Sequence, residues 1–244
     1  MDNLSRNTNI DKIEFGTITR ENTLLRSSFA WMSLAMLLTA ITAYMFGFMP
    51  ALTSLLIEET EAGFKPTIFA YVVMFAPLLF VMGMSFALNR LSYPALIGLF
   101  VAYAIINGIS FSFIFWVYNI GSILKVFLST TALFGIMAVA GYTTKTDLTK
   151  LGSILFIGLI GIVVASLINM FMRSDSMDYI ISILGVIIFT GLTAYDVQKI
   201  KNLGEQASGT SLSGKLGIMG ALTLYLDFIN LFLFLLRLFG GRKD

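Results

Sequence analysis

The sequence predicts an all-α, polytopic membrane protein, a bundle of seven transmembrane helices. Three observations carry that expectation. Of 244 residues, 57% are hydrophobic and 12% charged, against about 45–50% and about 25% in soluble domains. The mean hydropathy is +0.86. The apolar residues gather in seven stretches, at 28–49, 67–88, 93–117, 123–142, 151–171, 179–195 and 216–239. Each is close to the length of about 20 residues that a helix needs to cross hydrocarbon.

Residues 1–27 precede the first stretch and mix Arg6, Lys12, Arg20 and Arg26 with Asp2, Asp11, Glu14 and Glu21. With no apolar run after a short basic start this is not a signal peptide, and it reads as a flexible or surface-lying cytoplasmic leader. Pro50 follows the first span, and Pro66 and Pro94 lie near helix starts, where a missing N–H costs nothing. Pro77 falls inside the second span and predicts a kink. The sixth span is short, and its last residue stands just before Asp196. The seven-helix domain covers 28–240, and 241–244 form a short basic tail. Counted with the N-terminus inside, ten Lys and Arg fall on the inner side and six on the outer, which favours a cytoplasmic N-terminus. The tail opposes this, since its charges would then lie outside.

The sequence contains no Cys and no His. Disulfides, thiolate nucleophiles and imidazole bases are thereby excluded, and with them Ser-His-Asp and rhomboid-type catalysis. The 216–239 span has no Lys, so a retinal Schiff base has no anchor. No basic stripe suggests nucleic acid. The expectation is a protein of the lipid bilayer that is not an enzyme and holds no cofactor.

Ionisable residues inside a span are rare and mark function. Asp196 ends the sixth span, Asp227 lies half-way along the seventh, and Arg90 ends the second. Gly220, Thr223, Asp227 and Asn230 recur at spacings of three and four, as do Ser182, Gly185, Phe189, Thr193 and Asp196. Each set is one small-and-polar face of a helix, the kind that turns inward from lipid. If the short connection sets these helices side by side, Asp196 at the inner boundary and a deeper Asp227 face each other across a polar path. Two carboxyls in a low-dielectric site tend to share a proton. Such a pair senses pH, binds a hard cation, or does both. With Asn230, carbonyls and water it would make only a weak calcium site, since calcium takes six to eight oxygens.

The run Gly191-Leu-Thr-Ala-Tyr-Asp-Val-Gln-Lys-Ile-Lys201, followed by Ala221-Leu-Thr-Leu-Tyr-Leu-Asp-Phe-Ile-Asn-Leu-Phe-Leu-Phe-Leu-Leu-Arg237, resembles the signature of the Bax-inhibitor-type family (transmembrane Bax inhibitor motif proteins), in its bacterial inner-membrane branch. Gly141-Tyr-Thr-Thr-Lys-Thr-Asp-Leu148 and Asn107-Gly-Ile-Ser110 fit it too. The resemblance implies a bundle around a central seventh helix, and a pH-sensitive calcium leak controlled by two aspartates and a latch arginine. Asp196 and Asp227 match the aspartates. Arg90 matches the latch by its distance of eighteen residues from Gly108 and its place at the end of the second span. Some relatives carry an acid within the second span, and 67–88 has none. A bacterial relative is associated with restraining a membrane-bound AAA protease, so a non-conducting regulator of such a protease is the alternative. A di-aspartyl protease is disfavoured, since Asp227 lacks the preceding glycine loop.

Overall fold

The computed structural model describes residues 2–60, 63–87, 91–206 and 213–243. Along the chain run α1 (Asp2–Phe48), α2 (Pro50–Thr53), β1 (Ile57–Thr60), β2 (Gly63–Pro66), α3 (Ile68–Ala87), α4 (Tyr93–Phe111), α5 (Ile114–Val117), α6 (Ile120–Thr143), α7 (Thr149–Met172), α8 (Asp175–Gln206) and α9 (Ser213–Phe239). Six helical segments of the described residues are long and apolar enough to cross a membrane: Thr23–Phe48, Tyr93–Val117, Ile120–Thr143, Thr149–Met172, Asp175–Gly204 and Ser213–Phe239. The protein is a polytopic helical membrane protein. The 20-residue α3 contains Pro77, as the sequence suggests.

Two elements depart from the sequence reading. The leader is helical from Asp2 and continuous with the first span; residues 2–48 contain no proline to interrupt it. Between α2 and α3 the chain forms an antiparallel hairpin, pairing Ile57 with Pro66 and Thr60 with Gly63. Gly63 has φ 108°, a conformation that side-chain-bearing residues rarely adopt.

The residues fall into two compact units, one of Trp31–Phe127 with Phe239–Asp244 and one of Met1–Ala30 with Leu128–Leu238. In the first, α1 and α4 run in the same direction. A Cβ at Gly108 would lie 2.7 Å from the Thr39 carbonyl oxygen and from the Thr42 Cβ, and one at Gly47 would lie 2.9 Å from the Phe115 ring. Glycine is therefore what lets the backbones approach, as small residues do between membrane helices. The Thr39 hydroxyl donates to the Ala104 carbonyl at 2.9 Å. Helices α3 and α4 are antiparallel, with Ala70 and Val73 clustering with Leu56 and Ile109 near one end. Further along, the Phe80 and Tyr103 rings lie 6.5 Å apart.

The tail is tied down in this unit. The Asn119 N–H donates to the Gly241 carbonyl at 3.0 Å and the Lys243 N–H to the Val117 carbonyl at 2.9 Å. The Lys243 ammonium reaches the Phe115 carbonyl at 2.7 Å. The segment that follows α9 and the start of α6 thus lie together.

In the other unit α7 and α8 are antiparallel neighbours. Gly152 lies under Tyr195, Gly191 under Leu155 and Gly158 against Ile188. Gly141 of α6 abuts the backbone of Ala194. The Ser28 hydroxyl of α1 donates to the Gly217 carbonyl at the start of α9, at 3.1 Å. Of the candidate spans α9 is the most buried, with 67% of its apolar window covered, and α7 the least, with 11%.

At the entry to α7, the exposed Asp147 accepts from the Thr149 hydroxyl at 2.6 Å and from the Thr149 N–H at 2.9 Å, an Asx turn. The hydroxyl first and the N–H second hold its carboxyl below the usual carboxylate range.

Two outcomes follow. Gly108→Val, which drives a branched side chain into α1, lowers stability by about 1–3 kcal/mol, readable as a fall in detergent-phase melting temperature; an unchanged melt would contradict the close approach. A carboxyl whose folded pKa is depressed contributes stability above its unfolded value of about 3.9, and loses it as pH falls through the folded value. Asp147→Ala therefore melts below the wild type at neutral pH, and the two melting curves converge in strong acid. A gap independent of pH would remove that role.

Candidate functional site

Helices α8 and α9 cross the unit as antiparallel neighbours. At one level the Phe189 and Phe234 rings stack with centroids 5.9 Å apart, and a Cβ at Gly185 would lie 2.5 Å from the Phe234 ring. At another, a Cβ at Gly220 would sit 3.2 Å from the Ile200 Cδ1. Asp196 is seven residues on from Phe189, and Asp227 seven residues back from Phe234. Antiparallel registry therefore brings the carboxyls to one level of the helix pair, where both line the same cavity. Asp196 is 8% exposed and Asp227 4%. The Asp227 Oδ2 is buried without a hydrogen-bond partner.

Both carboxyls line a cavity of about 810 Å³ walled by α7, α8 and α9. Three of its other polar groups each have a donor engaged. The Ser153 hydroxyl donates to the Thr149 carbonyl at 3.0 Å, the Thr223 hydroxyl to the Met219 carbonyl at 3.1 Å, and the Asn230 amide to the Leu226 carbonyl at 2.8 Å. Each spends a donor on its own helix, four residues back. What these groups have left to offer the cavity is mainly oxygen lone pairs. These oxygens and the two carboxyls suit protons, water and cations.

A family model described as inhibitor of apoptosis-promoting Bax1 matches residues 21–244. The chain belongs to the Bax-inhibitor family. It is 43% identical over 223 residues to the inner membrane protein YbhL of Escherichia coli (strain K12), covering 91% of this chain and 92% of that one. An uncharacterised protein of Borreliella burgdorferi is 40% identical over 225 residues, covering 92% and 94% of the two chains. One of Rickettsia prowazekii is 39% identical over 214 residues, covering 88% and 87%.

Against this family background, the structure brings Asp196, Asp227, Thr223 and Asn230 to one cavity. Thr193 does not join them; it is fully buried, and its hydroxyl returns to the Phe189 carbonyl at 2.8 Å. Arg90 lies outside the described residues. Asp196 does not end its helix, as the sequence suggests. Helix α8 continues ten residues beyond it to Gln206, since the polar residues after Tyr195 meet partners along the helix. Arg237, which closes the second motif run, pairs with Asp178 at 3.3 Å and lies over the Phe234 ring at 5.3 Å.

Three features went unread in the sequence. Helix α7 supplies a whole wall of the cavity. Lys199, one turn after Asp196, also lines it, with its ammonium 5.7 Å from the Tyr195 ring centroid. Gln198, 9% exposed, clamps the α6–α7 connection from both sides: it accepts from the Leu148 N–H and donates to the Thr146 carbonyl, each at 2.9 Å. The spacing of Lys199 from Asp196 was the one available signal, because i and i+3 share a helix face.

Gln198→Leu strands a backbone N–H and a carbonyl in a part-buried connection. It is expected to cost about 1–3 kcal/mol and to expose the α6–α7 connection to proteolysis; a wild-type melt and cleavage rate would show the clamp to be dispensable.

Proposed function

We propose that this protein is a pH-sensitive cation leak of the bacterial inner membrane, with calcium as its permeant ion and Asp196 and Asp227 as its gate. The observation that carries the reading is the protonable carboxyl pair, set in one cavity with Ser153, Thr223 and Asn230, each of which spends a donor on its own helix. The name of the relative YbhL supports the inner membrane. Calcium is the transported ion here and not a resident one. Among the described residues no group of three or more acidic, His or Cys side chains could hold a metal. Two carboxyls with Asn230, Thr223 and water make a weak site, and an ion that must leave needs one.

Seven crossings are supported by parity. The Trp116 indole N–H reaches the Gly47 carbonyl at 3.5 Å, and the Phe48 and Phe115 rings lie 5.1 Å apart. The end of α1 therefore neighbours the end of the Tyr93–Val117 span. If that span crosses, a crossing α3 is what keeps the two ends on one face. Antiparallel packing of α3 on α4 agrees. With the N-terminus inside, as the basic residues favour, α9 is the seventh span, and its burial suits the central position.

In this scheme Arg90 is the latch. It pairs with a charged carboxylate, and protonation of that carboxylate releases it. No residue is assigned a catalytic role.

In proteoliposomes loaded with a calcium indicator, the wild-type leak is expected to rise on acidification. Asp196→Asn or Asp227→Asn should flatten that pH response, and Arg90→Ala should raise the basal rate. Flux indistinguishable from empty vesicles across acidic to neutral pH would sink the leak. It would leave the regulator of a membrane AAA protease as the reading to test, by co-purification and substrate turnover.

A further inference from the structure

The carboxylate cavity has a smaller neighbour. A second cavity, of about 160 Å³, is lined by Thr149, Tyr195, Gln198, Lys199, Asn202 and Leu203. The two lie in series. Thr149 on α7 and Asn202 on α8 belong to the small one, and Gly152 and Asp196, further into each helix, to the large one. Tyr195 and Lys199 alone line both, so these two side chains form the partition between the carboxyl pair and the end of the helix pair that carries the α6–α7 connection.

The partition has a fixed half and a charged half. A Cβ at Gly152 would lie 2.6 Å from the Tyr195 ring, so the ring lies flush against the α7 backbone and cannot move toward it. Lys199 is exposed and unbranched, and its ammonium rests over the other part of this arrangement at 5.7 Å from the ring centroid, within cation–π range. It carries the only positive charge among the described residues that line either cavity. The negative side chains facing it are Asp196 and Asp227; α7 contributes no ionisable group to either lining.

We propose that Lys199, seated on Tyr195 and backed by Gly152, is the charge filter of the cavity: a positive charge at the boundary of the two cavities that slows cations, and divalent ones most, on their way to the carboxyl pair. The proposal rests on the cation-path reading and adds its selectivity. Coulomb energy scales with ionic charge. Whatever factor Lys199 imposes on a monovalent cation is therefore squared for a divalent one, and calcium passage stays slow for a reason independent of the aspartates.

The absence of cysteine permits a test that needs no ion flux. Thr223→Cys places one thiol in the large cavity. Its modification by cationic and by anionic thiosulfonate reagents of similar size is measured in membrane vesicles of each orientation, with Lys199 intact and as Lys199→Gln, Lys199→Glu and Lys199→Arg. The ratio of cationic to anionic rates is expected to rise by about fivefold in Lys199→Gln, to rise further in Lys199→Glu, and to stay at its starting value in Lys199→Arg. The shift should appear from one membrane face only. A ratio that is the same in all four backgrounds overturns the proposal, as does a thiol that neither reagent reaches from either face. The graded series guards against a single variant that fails to fold. In proteoliposomes, calcium leak should then increase in Lys199→Gln by about the square of the potassium increase. A shifted labelling ratio in a protein with no leak would uphold the filter while rejecting the leak, so the two readings fail separately.

Discussion

A carboxyl group in hydrocarbon costs about 2.5–3.5 kcal/mol on insertion scales, and this chain carries two such groups within one helix pair. Much of the surrounding architecture answers that cost. The carboxyls lie at one level of the pair, beside the same cavity, where sharing a proton would halve the charge to be buried. For them to meet, α8 and α9 must hold a common registry. Stacked Phe189 and Phe234 set it on one side, and Ile200 against Gly220 on the other. Gly185 and Gly220 admit the close approach, and Ser28 ties α1 to the start of α9. One oxygen, the Asp227 Oδ2, is left buried without a partner. An unsatisfied buried acceptor carries its full desolvation penalty, which is the state in which a proton, a water or a cation gains most by arriving.

The fold was legible where composition forces it. Apolar length marked the spans, and of the residues spaced along α9 Thr223, Asp227 and Asn230 line the cavity while Gly220 packs against Ser28 and Ile200. The reading weakened where a helix is amphipathic. The sixth span looked short because Asp196, Lys199 and Lys201 interrupt the apolar run, yet α8 continues. Gln198 there holds the α6–α7 connection, and the Lys201 ammonium lies 5.0 Å from the Tyr142 ring centroid. Hydropathy measures the cost of a residue in lipid, and these residues are not in lipid. The hairpin at 57–66 went unread for the same reason: Glu58, Glu59 and Lys65 read as a loop, and their backbone pairing leaves no mark in composition.

Within the site, what the sequence disclosed was whatever broke an apolar background. Asp196 and Asp227 stood out as charges and were placed together by phase. Helix α7 carries no comparable contrast, being apolar on every side, so its part in the cavity could not be inferred. Thr193 shares the phase of Asp196 and still turns away, because a hydroxyl in a helix can satisfy itself on the carbonyl four residues back. Phase selects the face; only the packed neighbours decide which groups on that face reach open space.

The scant burial of α7 has a consequence of its own. This helix packs against α8 along one flank and exposes Phe156, Ile157 and Val163 beside the cavity they line, at 58%, 69% and 51%. In a bilayer an apolar face of this kind meets acyl chain. A helix held by protein along one edge and by lipid along the other takes its tilt from the thickness and lateral pressure of the bilayer as well as from its contacts. The space in front of the two aspartates is thus a mechanical property of protein and membrane together, and chain length in the surrounding lipid is one of its dimensions.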